Sequence, residues 1–197
     1  MSNPAIPFGF LDKGLMDGYA PTFGVYPAQI STGNTNKIYA GDVAAPISGG
    51  YYDVATVVGG GGPIGGIFAG NFAYNSLSAG MLNRNRAWLG QTGDLAAGSL
   101  ITCDVLVASE TVYKVRTAGT SGLPVGQTSV GKFANFAIGS APGNNLISAF
   151  WLDDNTINAA QGSLPFVIVG IAQQPESDPT SINNIVYVRV VNLAQPN

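Results

Sequence analysis

After Lys37, apolar and polar positions alternate with a period close to two, in short runs cut off by glycine, proline or asparagine. KIYAGD (37–42) and YYDVATVV (51–58) are β-branched and aromatic, and a Pro and Gly segment separates them. LITCDVLVA (100–108) and ETVYKVRT (110–117) are divided by one or two residues and read as a hairpin. VGKFANFAIG (130–139) is a glycine-bounded aromatic strand, and LISAFWLD (146–153) reads as a strand in preference to a short helix. LPFVIVGIA (164–172), the most apolar run, predicts a central strand entered through Pro165. IVYVRVV (185–191) closes the series. Helical signal is confined to one turn within 78–86, just ahead of the strand-like RAWLG (86–90).

The stretch GGGGPIGGIFAGNFAY (59–74) departs from simple alternation. Ile64, Phe68, Phe72 and Tyr74 fall on one face with Gly66 and Gly70 between them. Gly65, Ile67, Ala69, Asn71 and Ala73 fall on the other. Glycine costs backbone entropy inside a strand, so its repetition predicts bulges, bends or a close approach by another backbone. The bare face meets either a second sheet of this chain or another subunit, which makes Gly65, Ile67 and Ala69 candidate interface positions.

The pattern as a whole predicts an all-β chain of about eight to ten short strands, an antiparallel sandwich or barrel of jelly-roll-like type spanning 36–197. Residues 1–35 hold neither period for long and predict an extended N-terminal arm with at most one short strand near 22–26. Phe8, Phe10 and Tyr19 are spread too widely along that arm to share one core, and are candidate interface anchors.

Charge sharpens this picture. Asp, Glu, Lys and Arg make up 10% of the 197 residues, against about 25% in an average domain. The cores of protein interfaces are depleted in charge, so much of this surface is expected to be covered in an assembly. Net charge is −3 with scattered basic residues, which argues against nucleic-acid binding. No apolar run approaches the roughly 20 residues needed to cross a bilayer, and no secretory signal pattern is visible. Cys103 stands alone, so no disulfide framework is expected. It reads as a small buried hydrophobe.

Chemistry-bearing motifs are few. Gly60, Gly62 and Gly65 spell G-x-G-x-x-G, but a strand pattern follows where a dinucleotide site needs a helix N-terminus. Gly126, Gly131 and Lys132 begin a phosphate-loop pattern, but Phe133 stands where a hydroxyl must reach Mg²⁺. Without histidine, Ser-His-Asp and Cys-His machinery is absent. Asp153 and Asp154 are adjacent and with Asn155 predict a turn. Asp42, Asp53 and Asp104 could meet in space, but each also reads as a strand-end or solvent-face residue. No catalytic residue, metal or cofactor is expected.

The succession GGIFAGNFAY, the Trp88 and Gly90 pair, ETVYKVRT, VGKFANF and LPFVIVGIA resembles tailed-bacteriophage virion structural proteins, most of all small head decoration or cement proteins. The resemblance spans about residues 37–192. It implies a mostly β protein without an active site, bound to the major capsid protein on the virion surface as a homo-oligomer, a trimer among the expected states. A tail, receptor-binding or carbohydrate-binding β module, with Trp88 and Trp151 on one exposed face, is the alternative.

Overall fold

The computed structural model describes residues 3–15, 25–56, 62–107, 111–139 and 146–194. They form fourteen strands: β1 (Leu11–Leu15), β2 (Val25–Ile30), β3 (Ile38–Tyr39), β4 (Val43–Ile47), β5 (Tyr51–Val54), β6 (Gly66–Asn75) and β7 (Leu82–Asn85), then β8 (Ala87–Trp88), β9 (Ile101–Leu106), β10 (Thr111–Arg116), β11 (Phe133–Ile138), β12 (Phe150–Asn158), β13 (Phe166–Ile171) and β14 (Ile185–Val190). Helical structure among the described residues is limited to 3-10 turns at Ser48–Gly50, Thr92–Asp94 and Gln127–Ser129.

The strands build an all-β, antiparallel sandwich. The first sheet runs β1-β10-β14-β13-β11-β12. The second runs β2-β9-β6-β4-β5, with β7 laddered onto β6, and β3 and β8 form a separate pair. In β14 the alternation is plain: Val186, Val188 and Val190 point inward while Tyr187 and Arg189 are half-buried. These valines pack with Val115, Leu152, Phe166 and Ile168 in one core, which Val43, Ile67 and Leu106 of the second sheet complete. A second core lies on the other side of that sheet. There Tyr52, Phe68, Phe72, Tyr74, Ile101, Cys103 and Val105 meet Ile38 and Trp88 of the β3–β8 pair. The first sheet curls until Thr117, just after β10, meets Leu152 of β12 in a parallel bridge.

The expected N-terminal arm is not what the described part of 1–35 forms. β1 is the edge strand of the first sheet, and β2 is the edge strand of the second. Likewise β9 and β10 are not a hairpin. β9 pairs with β2 and β6, and β10 pairs with β1 and β14. The chain crosses between layers here because Ile101, Cys103 and Val105 fill the aromatic core, whereas Tyr113 and Val115 fill the other. Residues 82–85 are strand where a helical turn was expected, since Ser76 N–H donates to Met81 O at 3.0 Å and folds the chain back along β6. Asp153, Asp154 and Asn155 lie inside β12, where the register with β11 slips. Their turn chemistry survives locally, with Asn155 N–H donating to Asp153 Oδ1 at 3.1 Å.

Glycine works in β6 as its repetition predicted. Gly66 has φ +133°, and a Cβ there would collide with the Leu106 carbonyl. Gly70 (φ +95°) and Asn71 (φ +56°) lie where the register against β9 shifts, a bulge that only residues tolerant of the left-handed region adopt readily.

Candidate functional site

The residues expected at an interface are divided by the fold. Phe10 is 2% exposed and stacks on Phe166 with ring centroids 4.5 Å apart. Its N–H donates to Gly41 O at 2.9 Å. Phe8 is half-buried against β10, with Lys114 Nζ 5.9 Å and Arg116 Cζ 5.3 Å from its ring. Tyr19 lies outside the described residues. Ile67 belongs to the first core, and Gly65 is buried where a Cβ would meet the Tyr52 ring at 2.5 Å. Ala69 is exposed. Phe10, Gly65 and Ile67 therefore face this chain's own interior, because the close approach that the glycines permit is made by its own side chains and by β9.

Asp42, Asp53, Asp104 and Asp154 are each held by separate neighbours. Asp154 accepts from Thr120 N–H (3.1 Å) and Oγ1 (3.0 Å) and from Ser121 N–H (2.8 Å) and Oγ. Burial pushes its carboxyl up, but these hydrogen bonds outweigh burial and hold it below the usual range. Asp53 accepts from the Asn34 and Asn36 amides at 2.9 Å each, and Asp104 from Asn71 at 2.8 Å. Burial raises Asp153. Asp42 is the most perturbed of them. It is 2% exposed, its Oδ2 accepts from Tyr39 N–H at 2.8 Å, and its Oδ1 has no partner. Burial pushes its carboxyl up to about 6, against the smaller lowering effects of Ser148 and Tyr39. Among the described residues no group of three or more His, Cys, Asp or Glu is placed to hold a metal ion. Cys103 is buried and pushed up to about 12, mainly by that burial, so it lacks the thiolate character a nucleophile needs.

Trp88 offers no exposed platform. It is fully buried, with Nε1–H donating to Asn34 O at 3.0 Å and Tyr74 edge-on at 5.4 Å. Trp151 is half-buried, and its ring lies against Gly139.

Exposed apolar surface gathers instead around the β6–β7 turn. Leu77 is 64% exposed, Met81 65%, Leu82 52% and Leu100 55%. Asn75 lies among them. It pairs with Leu82 across the ladder, its N–H donates to Ser99 Oγ at 2.9 Å beside Leu100, and Ser76 and Leu77 follow it. The turn is braced by Asp94, which accepts from Ser76 Oγ at 2.7 Å and Ser78 N–H at 2.8 Å. Hydrogen bonds from Ser78 and then Ser76 hold its carboxyl below the usual range. Leu77 N–H donates to Asp94 O at 2.6 Å. Four large exposed apolar side chains thus lie in or beside one hydrogen-bonded turn, and exposed apolar residues that lie near one another mark interaction surface better than scattered ones do. The sequence carries a signal for it in NSLSAGML (75–82), where Leu and Met interrupt a turn composition of Asn, Ser, Ala and Gly.

No family model, no curated protein and no solved structure matches this chain.

Proposed function

We propose that this chain is a non-catalytic structural protein of a virion, a head decoration protein that binds major capsid subunits and copies of itself and stabilises the shell from its outer surface. The observation that carries the reading is the braced apolar cluster of Leu77, Met81, Leu82 and Leu100 on a chain with only 10% charged residues. Stabilisation would come from burying that cluster across subunits at about 25 cal/mol per Å² of apolar surface, with no proton transfer involved. The succession of segments that resembles cement proteins supports the same reading. A glycan-binding module is less well supported, since Trp88 is fully buried.

Native mass spectrometry of the purified chain, with and without empty phage capsids, tests the proposal. An oligomer that adds to capsids is expected, and the Leu77→Ser, Met81→Ser double variant should lose capsid binding while melting like its parent. A stable monomer that ignores capsids and binds glycans would overturn the reading.

A further inference from the structure

β7 is laddered on one side only. Its four residues pair with Phe72, Ala73, Tyr74 and Asn75 of β6, and among the described residues no strand pairs with its other side. Asn83 turns inward, where its Nδ2 donates to the Tyr74 hydroxyl at 3.1 Å, and Asn85 donates to Asn83 Oδ1 at 3.1 Å. Leu82 and Arg84 occupy the opposite face and are exposed, as is Arg86 just beyond the strand. These arginines are two of only eight basic residues in the chain. The ion pairs between described residues both use Glu176, with Lys13 and Lys114, and neither arginine takes part. Arg84 Nη1 donates to Asn71 Oδ1 at 3.3 Å. Asn71 Nδ2 in turn donates to Asp104 Oδ2 at 2.8 Å, so the Asn71 amide stands between that carboxylate and the Arg84 guanidinium.

An open edge presents free N–H and C=O groups that template another strand. Two copies of β7 laid side by side would bring Arg84 and Arg86 against their own kind, and like charges across a strand pair are destabilising. An acidic strand satisfies both the edge and the charge. We infer that the open edge of β7 accepts an extended acidic segment of a neighbouring protein, its carboxylates on the face that carries Arg84 and Arg86. This rests on the assembly reading and names the chemistry of the partner at that same surface.

The test uses the full chain and two capped ten-residue peptides, one alternating Val and Glu, the other Val and Lys. Amide exchange and NMR shifts are followed at low ionic strength and again in added salt. The Glu peptide should slow exchange of the β7 amides several-fold, with the effect fading in salt, and the Lys peptide should leave them unchanged. Arg84→Glu with Arg86→Glu should reverse the preference, whereas Arg84→Lys with Arg86→Lys should keep it. Equal response to both peptides, response elsewhere on the chain, or no response at β7 overturns the inference. So does protection that grows with protein concentration alone, which would identify a second copy as the occupant. If the charge-reversed variant still binds capsids while Leu77→Ser, Met81→Ser does not, the acidic strand is wrong and the assembly reading stands.

Discussion

The two cores of this molecule are built on different principles. The first, between the sheets, is mainly aliphatic, with Val115, Leu152, Ile168, Val186, Val188 and Val190 interleaved and a few phenylalanines such as Phe10 and Phe166 stacked among them. The second sets Tyr52, Phe68, Phe72, Tyr74 and Trp88 against the small residues Ala28, Ala44 and Cys103. Branched aliphatics of similar size fit a regular pleat, so β14 pairs with β10 residue for residue without a register shift. Large rings facing small residues do not tile evenly. β6 accordingly shifts register twice against β9, around Gly70 and Asn71 with their positive φ. The contrast holds for these two strand pairs, since β13 also slips against β14 between Ile168 and Gly170.

The sharpest way to break that contrast is to remove a ring. Trp88→Ala should destabilise by about 3–5 kcal/mol and leave the Asn34 carbonyl without its donor, measured by urea unfolding. Val188→Ala in the aliphatic core should cost clearly less, and equal losses would erase the distinction. Next, Gly66→Ala forces a side chain into positive φ against the Leu106 carbonyl and should cost roughly 1–3 kcal/mol. Gly126→Ala, where an added Cβ meets nothing, should change stability little. Asp42 tests the junction where Gly9, Phe10, the turn before β4 and β6 come together. Its carboxyl titrates near 6 in the folded chain and at 3.8 when unperturbed. The folded state therefore keeps a proton that the unfolded chain sheds, and stability present below pH 4 is lost as pH rises through 6. Asp42→Asn should flatten that dependence and stabilise the neutral protein by about 2–3 kcal/mol, as followed by melting across pH. The smallest effect belongs to the exposed ion pair of Lys114 and Glu176 at 2.9 Å. There Glu176→Gln should shift stability by about 0–1 kcal/mol, and a larger loss would give that edge a structural weight that neither core predicts.

Legibility followed the same division. β13 and β14 stand where LPFVIVGIA and IVYVRVV place them, because each is a short β-branched and apolar run bounded by glycine, proline or asparagine. The rings of β6 were assigned together correctly, since Phe68, Phe72 and Tyr74 share the aromatic core. Ile64 was not. It lies in the other core, where its N–H donates to Asn192 O at 3.0 Å. Phe10 looked like a free anchor because nothing near it in sequence forms a core, and its partner Phe166 is far along the chain. The exposed cluster at Leu77 and Met81 was missed for the reverse reason. Apolar residues between strands resemble core until the fold leaves them outside.

The sequence by itself determined that the protein is all β, where most of its strands lie, and that glycine would shape β6, because alternation and backbone permissiveness are local properties. Tertiary structure decided which sheet each strand joined, which side of a strand met solvent, and which carboxylate lost its water. Those outcomes depend on partners distant in sequence. β9 and β10 parted into different layers, Phe10 turned inward, and Asp42 was buried with one oxygen unpartnered, because packing between sheets outweighs the preference of neighbouring strands to pair.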